Sequence, residues 1–166
     1  SLLMAQIRYW LAEVKAESAI CWNTPQMQQT GALTACREAG VRAIVWNPDR
    51  DRQEMIRECA GVDAGITWAD YAIANTGTLV HFSSAGNGRS VSLLPPVHIA
   101  IVNIKRIVPR VGEVLKLMAS GKESASSVNF ITGPSRTADI EMDLSLGVHG
   151  PGKLFVLILD QPLNTP

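Results

Sequence analysis

Three short polar segments contain the residues best suited to binding an anion. The first, at 75–78, reads Asn-Thr-Gly-Thr. Thr76 and Thr78 offer hydroxyls, and the flexible Gly77 allows closely spaced backbone N–H groups to point at a carboxylate or phosphate. An ordinary turn between two strands would use the same residues, because Thr-Gly-Thr is common in turns. Composition alone leaves both interpretations open.

The second segment, at 83–89, combines hydroxyls, glycines and an arginine. Such a run can form an anion-binding nest of backbone N–H groups with a cation at its end. A hairpin tip with a solvated Arg89 is the alternative, because Asn87-Gly88 is a hairpin signal. A dinucleotide fingerprint is absent, since Gly86-x-Gly88 lacks its third glycine. The candidate ligand residues here are Ser83, Gly86, Gly88 and Arg89.

The third segment follows a predicted strand and reads Gly-Pro-Ser-Arg-Thr from residue 133. Ser135 or Thr137 would cap a short helix whose free N–H groups receive an anion beside Arg136. Alternatively, Asp139 or Glu141 simply complements that helix end and pairs with Arg136. The candidate ligand residues are Gly133, Ser135, Arg136 and Thr137.

Histidines and carboxylates supply the candidates for proton transfer. His98 and His149 lie beside proline or glycine breaks and could act as a base near neutral pH, whereas His81 lies in the middle of a strand. A strand histidine is more often structural. Asp139 and Glu141 are the acid candidates, together with Asp70. The catalytic candidates are therefore His98, Asp139 and Glu141, with no Gly-x-Ser-x-Gly elbow and no metal-binding histidine pair.

Alternating helices and strands must position these groups. The spacing of apolar residues predicts helices at 24–40, 52–60 and 109–120, and buried strands at 41–46, 62–66, 97–102, 128–132 and 154–159. Strands at 78–84 and 89–94 are expected to form an antiparallel hairpin beside this parallel α/β layer. Residues 1–23 are expected to form a weakly anchored helical arm, and 24–166 a single domain.

Loops that leave strand carboxyl ends gather at one edge of such a sheet, where ligands bind. Four such loops carry polar groups, at Thr67, Ser83, Gly133 and, less clearly, His98. Their convergence is a hypothesis.

Composition limits the function classes. The 166 residues are 46% hydrophobic and 18% charged, which excludes a disordered chain, and a net charge of zero does not favour nucleic acid. Three scattered cysteines without a C-x-x-C pair indicate a reducing cytoplasm, with no zinc or iron–sulfur ligation. Cys36 and Cys59 lie on apolar faces of predicted helices and are expected to be buried thiols. No segment reads as a signal peptide or a membrane span.

Four ordered motifs carry a resemblance to a known family. They are Gly-Ile-Thr-Trp-Ala-Asp-Tyr-Ala-Ile-Ala-Asn-Thr-Gly-Thr (65–78), Val-Ser-Leu-Leu-Pro-Pro-Val-His (91–98), Ile-Thr-Gly-Pro-Ser-Arg-Thr-Ala-Asp-Ile-Glu (131–141) and Leu-Gly-Val-His-Gly-Pro (146–151). Together they resemble the LUD domain of the lactate-utilisation protein C (LutC/YkgG) family over about residues 40–160.

The resemblance implies a NagB/RpiA/CoA-transferase-like layered fold, with a mainly parallel sheet, helices on both faces and an antiparallel hairpin. It also implies a cytoplasmic component of L-lactate oxidation to pyruvate. LutA/LutB-like partner proteins would carry the iron–sulfur clusters, and this chain would bind no cofactor itself. The three polar segments would then bind a small anionic metabolite such as lactate or pyruvate.

One position departs from the family pattern. The family usually has Glu in the Ala-Glu-Thr-Gly-Thr motif, where this chain has Asn75. An amide neither titrates nor forms an acyl intermediate, which argues against carboxylate chemistry there. Two alternatives stay open: a stand-alone acyl or CoA transferase, suggested by fold-level analogy, and a non-catalytic assembly factor for the iron–sulfur partners.

Overall fold

The computed structural model describes residues 1–121, 125–134, 136–138, 144–146 and 150–160. The helices are α1 (Leu2–Glu13), α2 (Pro25–Thr30), α3 (Ala32–Glu38), α4 (Arg52–Ala60), α5 (Ser90–Leu93) and α6 (Val111–Ala119). The strands are β1 (Ser18–Cys21), β2 (Arg42–Val45), β3 (Ala64–Trp68), β4 (Tyr71–Ile73), β5 (Thr78–Ser83), β6 (Val97–Asn103), β7 (Ile107–Val108), β8 (Ser127–Ile131), β9 (Arg136–Ala138), β10 (Leu144–Leu146) and β11 (Lys153–Leu159).

A five-stranded parallel sheet in the order β11, β6, β3, β1, β2 forms the centre of the fold. Helices cover both of its faces. On one face, Trp10 of α1 stacks on Phe155, which lies level with Ile99 of β6. On the other, α5 lies over Gly65, which is level with His98, the residue before Ile99 in β6. Successive residues of a strand point to opposite faces, so the predicted mainly parallel layered fold is confirmed.

A second sheet, in the order β7, β4, β5, β8, packs beside the first. Strand β5 is antiparallel to both of its neighbours, β4 and β8. Tyr71, Val80 and Phe82 of this sheet are buried with Val114 of α6. The predicted antiparallel part of the fold therefore exists.

The predicted pairing of 78–84 with 89–94 is nevertheless wrong, because residues 90–93 form α5. The buried Asn87 side chain accepts a hydrogen bond from the backbone N–H of Ser84 at 2.6 Å and donates one to the carbonyl of Phe82 at 2.5 Å. These bonds close the loop on itself. Asn87-Gly88 therefore belongs to a compact loop instead of a hairpin turn.

Two further predictions about helices are corrected. The helix expected over 24–40 is divided into α2 and α3, because Gly31 adopts a left-handed backbone with φ of 70°. The helix expected after residue 133 does not begin at 136–138, which form β9 and pair with β10. The helix N-terminus on which that anion site depended is therefore absent from these residues.

The N-terminal segment is more firmly held than its sequence indicates. Ile7 and Leu11 of α1 are completely buried, and β1 lies between β2 and β3 in the main sheet. The carboxylate of Asp63 accepts hydrogen bonds from Ser18 N–H at 2.8 Å and Ser18 Oγ at 2.9 Å, which joins β1 to the start of β3. The expectation of a weakly anchored arm is therefore wrong. The sequence does not predict β1, because a four-residue strand is too short to show a recognisable hydrophobic pattern.

The other predicted strands and helices occur close to their expected positions. Strands β2 and β11, however, lie at the edges of the sheet, no residue of either strand is fully buried, and Ile158 of β11 is 54% exposed, so the prediction that these two strands are buried is wrong. All three cysteines are free and buried, which confirms the predicted burial of Cys36 and Cys59. Among the described residues, no helix has the length and apolar character needed to cross a bilayer.

Gly65 provides a test of this packing. A Cβ at Gly65 would lie 1.8 Å from the carbonyl oxygen of Val91, so Gly65→Ala requires α5 to move away from β3. We expect a loss of about 3 kcal/mol in the free energy of unfolding, measured with urea. Gly112→Ala in α6 is the control: its Cβ meets nothing within 4 Å, and alanine is expected to stabilise the helix by about 0.5–1 kcal/mol. Equal stabilities of the two variants would contradict the packing.

Candidate functional site

A cleft lies where the carboxyl ends of the parallel strands meet the end of β5. The word cleft covers two neighbouring cavities here, both of which have Ser83 and Ser84 in their lining. The arginine cavity, of about 420 Å³, is lined by Trp46, Arg52, Ser83, Ser84, Gly88, Arg89, Ser90, Ser126 and Ser127. The tryptophan cavity, of about 270 Å³, is lined by Trp22, Thr24, Pro25, Gln26, Trp68, Asp70, Phe82, Ser83, Ser84 and Asn87.

The arginine cavity is positively charged. Arg52 and Arg89 both line it, and no acidic side chain of the described residues does. The ion pairs within the described ranges involve Arg8 and Arg50. The guanidinium groups of Arg52 and Arg89 are therefore available to a ligand, and the neighbouring serine hydroxyls can donate further hydrogen bonds to an anion.

The tryptophan cavity is also polar, but its charged side chain is a carboxylate and not a guanidinium group. Asp70 contributes a carboxylate whose Oδ2 accepts a hydrogen bond from the backbone N–H of Phe82 at 2.7 Å. Thr24 and Gln26 contribute uncharged polar groups, and the indole of Trp68 contributes apolar surface. This cavity is suited to hydroxyl groups and to the apolar face of a ligand rather than to an anion.

Two indole rings hold the loop at 84–90, which contributes residues to the lining of both cavities. Trp22 Nε1–H donates to the carbonyl of Gly88 at 2.9 Å, and Trp46 Nε1–H donates to the carbonyl of Ala85 at 2.8 Å. A Cβ at Gly88 would lie 2.2 Å from the ring of Trp46. Glycine is needed at this position because the loop backbone lies against the indole. These contacts place Arg89 at the arginine cavity.

The candidate residues from the sequence divide into two groups. Ser83, Gly88 and Arg89 line the cleft, whereas Thr76 and Thr78 lie at the opposite end of β5. Six residues of strand separate the two ends by roughly 17 Å. The structure therefore does not bring the first and second polar segments into one site.

The group at the far end is held together by its hydroxyls. Thr76 Oγ1 lies 2.7 Å from Thr78 Oγ1, which lies 3.0 Å from Thr132 Oγ1, the residue before Gly133. Gly77 has a φ of 62°, which is typical of a tight turn. Of the second segment, Gly86 does not line the cleft but packs so closely on Asn23 that a Cβ would lie 2.5 Å from its carbonyl oxygen.

Several candidates lie outside the described residues: Ser135, Asp139, Glu141 and His149. The backbones of Arg136 and Thr137 belong to β9, and their side chains lie outside the described part of the chain.

His81 and His98 occupy the interface between the two sheets and do not line the cleft. His98 Nε2 lies 2.7 Å from Thr67 Oγ1, which lies 3.4 Å from His81 Nε2. The Nδ1 atoms of both rings are buried without a hydrogen-bond partner in the described structure. Burial lowers the pKa of His81 to about 3, and burial together with the neighbouring His81 lowers the pKa of His98 well below its usual value. Both rings are therefore neutral near pH 7.

Arg52 and the indoles are the functional residues that sequence reasoning missed. Arg52 follows the loop after β2, one of the parallel strands, so the rule about carboxyl ends of strands would have identified it. The indoles of Trp22 and Trp46 follow β1 and β2 directly. Their pairing with a loop at 84–90 leaves no local signal in the sequence.

The buried histidines predict a loss of stability in acid. An unfolded histidine binds a proton below a pKa of about 6.5, while the folded rings stay neutral, so their contribution is complete above pH 6.5 and is lost as the pH falls toward 3. Between pH 7 and pH 5 we expect the free energy of unfolding to fall by about 2 kcal/mol for each histidine. His81→Gln should reduce this slope, measured by urea unfolding at each pH, by about half.

Asp63→Asn is the control for that measurement. Although burial opposes it, the hydrogen bonds from Ser18 and Glu17 lower the pKa of Asp63, so its contribution is lost only in stronger acid. This variant should leave the slope between pH 7 and pH 5 unchanged. An unchanged slope in His81→Gln would contradict the assignment to the histidines.

Comparison with known proteins supports a single family. The family model described as the LUD domain matches residues 3–159. Lactate utilization protein C of Halalkalibacterium halodurans is 40% identical over 154 residues, which cover 90% of this chain and 66% of that protein. Lactate utilization protein C of Bacillus subtilis is 46% identical over 123 residues, which cover 70% of this chain and 51% of that protein. The chain thus spans about half to two thirds of the length of these relatives.

A solved structure shares the fold. The crystal structure of a DUF162 family protein from Deinococcus radiodurans has a TM-score of 0.52 and 21% sequence identity, and the match covers 94% of this chain and 95% of that one. The family match also includes the N-terminal segment, which lies outside the resemblance at 40–160. The resemblance read from the four motifs is confirmed, and the chain belongs to the LUD-domain family.

Proposed function

We propose that this chain is a component of a cytoplasmic L-lactate oxidation system, to which it contributes a cleft for a small anionic metabolite. The relatives named lactate utilization protein C support a role in lactate utilisation. The observation that carries the anion site is the pair of guanidinium groups, Arg52 and Arg89, on one serine-lined cavity whose described lining residues include no acidic side chain.

Oxidation of L-lactate to pyruvate breaks the C–H bond of the hydroxyl-bearing carbon and the O–H bond of its hydroxyl group, and so releases two electrons and two protons. The system therefore needs an electron acceptor, a role that we assign to LutA/LutB-like iron–sulfur partner proteins. This chain would supply the anion site. Both lactate and pyruvate carry a carboxylate, which a guanidinium group binds through paired hydrogen bonds.

Arginine substitutions test the proposal in a reconstituted system of this chain with its iron–sulfur partners. Loss of a charged hydrogen bond costs about 1.5–3 kcal/mol, so Arg52→Ala and Arg89→Ala should each lower the rate of L-lactate oxidation at limiting ligand to about a tenth or less. The measurement is pyruvate formation with an artificial electron acceptor.

Arg57→Ala is the matched control, because Arg57 is exposed on the same helix as Arg52 and does not line either cavity. This variant should retain the full rate. If omission of the whole chain leaves pyruvate formation unchanged, the proposed function is wrong.

A further inference from the structure

Strand β11 forms an open edge of the main sheet. It pairs with β6 along its whole length, Lys153–Leu159, and within the part of the chain that the structure describes no strand lies on its other side. A strand with one neighbour turns part of its backbone N–H and C=O groups away from that neighbour. This edge therefore presents a row of donors and acceptors that a strand of another molecule can bind.

The side chains of this edge lack the features that usually prevent pairing. Residues 154–159 read Leu-Phe-Val-Leu-Ile-Leu, without a charge, a proline or a glycine. Val156 is 40% exposed and Ile158 is 54% exposed, and both point to the same face because they are two residues apart. The other edge of the sheet, β2, is only four residues long and begins with the exposed Arg42. Short length and charge protect β2, whereas β11 is long, apolar and suited to being covered.

The apolar surface continues from β11 onto the first helix. A groove of about 640 Å³ lies between β11 and α1, and the exposed side chains of Leu2, Tyr9 and Ile158 contribute to its lining. Asp160 is the charged residue among those that line it. An exposed apolar patch of this extent is typical of a protein–protein contact.

The charges at the two ends of β11 indicate that the partner is a second copy of this chain. The strand begins at Lys153, and Asp160 follows its last residue. Two copies that pair in antiparallel orientation bring the positive end of each strand to the negative end of the other, whereas parallel pairing brings like charges together. A twofold axis perpendicular to the sheet produces this antiparallel pairing, and twofold dimers are the commonest homo-oligomers. The edge is thus complementary to itself in its apolar centre and at its charged ends.

We propose that the chain forms a twofold dimer by antiparallel pairing of two β11 strands about Val156, which joins the two five-stranded sheets into one. Val156 is the central residue of the seven, so an axis there uses the whole strand of each copy. Val156 then faces its own counterpart, and Lys153 of each copy lies beside Asp160 of the other. The inference is independent of the anion site, because no residue of β11 lines the arginine or the tryptophan cavity.

Sedimentation equilibrium of the chain tests the dimer. The chain has a mass of 17.9 kDa, and we expect twice this mass to predominate at about 100 μM. Val156→Lys places two ammonium groups against each other and should raise the dissociation constant at least about tenfold. Val111→Lys is the matched control, since Val111 is also a half-exposed valine, at 46%, but lies on α6. It should dimerise as the unaltered chain does.

A charge exchange and a cross-link test the position of the axis. Val156→Asp should also dissociate the dimer, and an equimolar mixture of Val156→Lys with Val156→Asp should restore it, because opposite charges then face each other. Val156→Cys brings two thiols together at the axis, so mild oxidation should yield a disulfide-linked dimer on a non-reducing gel, while Val111→Cys yields none. The cysteine variant keeps a small uncharged side chain and therefore tests the contact even if a charged variant fails to fold.

Three results would overturn the inference: a monomer at about 100 μM, a dimer that Val156→Lys leaves intact, or the absence of a cross-link through Val156→Cys. None of them bears on the anion site, which the arginine variants test separately. Full lactate oxidation in a reconstituted system with monomeric Val156→Lys would likewise leave the dimer inference to the sedimentation data of the unaltered chain.

Discussion

The packing of residues 84–90 against two indole rings is the constraint on which the cleft depends. Trp22 and Trp46 donate their ring N–H groups to carbonyl oxygens of this loop, at Gly88 and Ala85. Carbonyl oxygens that faced the cleft would repel an anion, and the indoles satisfy these two instead. The same contacts place Arg89 at the arginine cavity. Because of this packing, the loop presents a guanidinium group to the cleft, while two of its carbonyl oxygens are bound by the indoles.

Charge in this protein is local rather than global. The chain has a net charge of zero, with equal numbers of acidic and basic residues. Arg8 and Arg50 are each paired with glutamates on the surface, whereas Arg52 and Arg89 are the charged residues among the described ones that line the arginine cavity. The affinity of the site for an anion follows from this separation, because unpaired guanidinium groups do not have to leave another partner before they bind.

The interface between the two sheets has a different role. His81 and His98 are neutral there because burial penalises the charged form of each ring, and Thr67 lies between them. Neither ring lines the cleft. The two sheets therefore depend on uncharged histidines for their packing, while anion binding depends on arginines at the edge of the sheet. Acid therefore weakens the packing between the sheets, whereas removal of a guanidinium group weakens anion binding.

The alternation of helices and strands, four of the five strands of the parallel sheet and the polar segment at 83–89 follow from the sequence alone, since hydrophobic spacing and small polar residues are local properties. Tertiary structure decided three other features. The buried amide of Asn87 turned a predicted hairpin into a loop and helix, β5 separated Thr76 from Ser83 by its length, and the loop after β2 brought Arg52 to Arg89. The first depends on the burial of a side-chain amide, the second on the direction of a strand, and the third on the approach of residues that are distant in the chain; residue types and their spacing encode none of these.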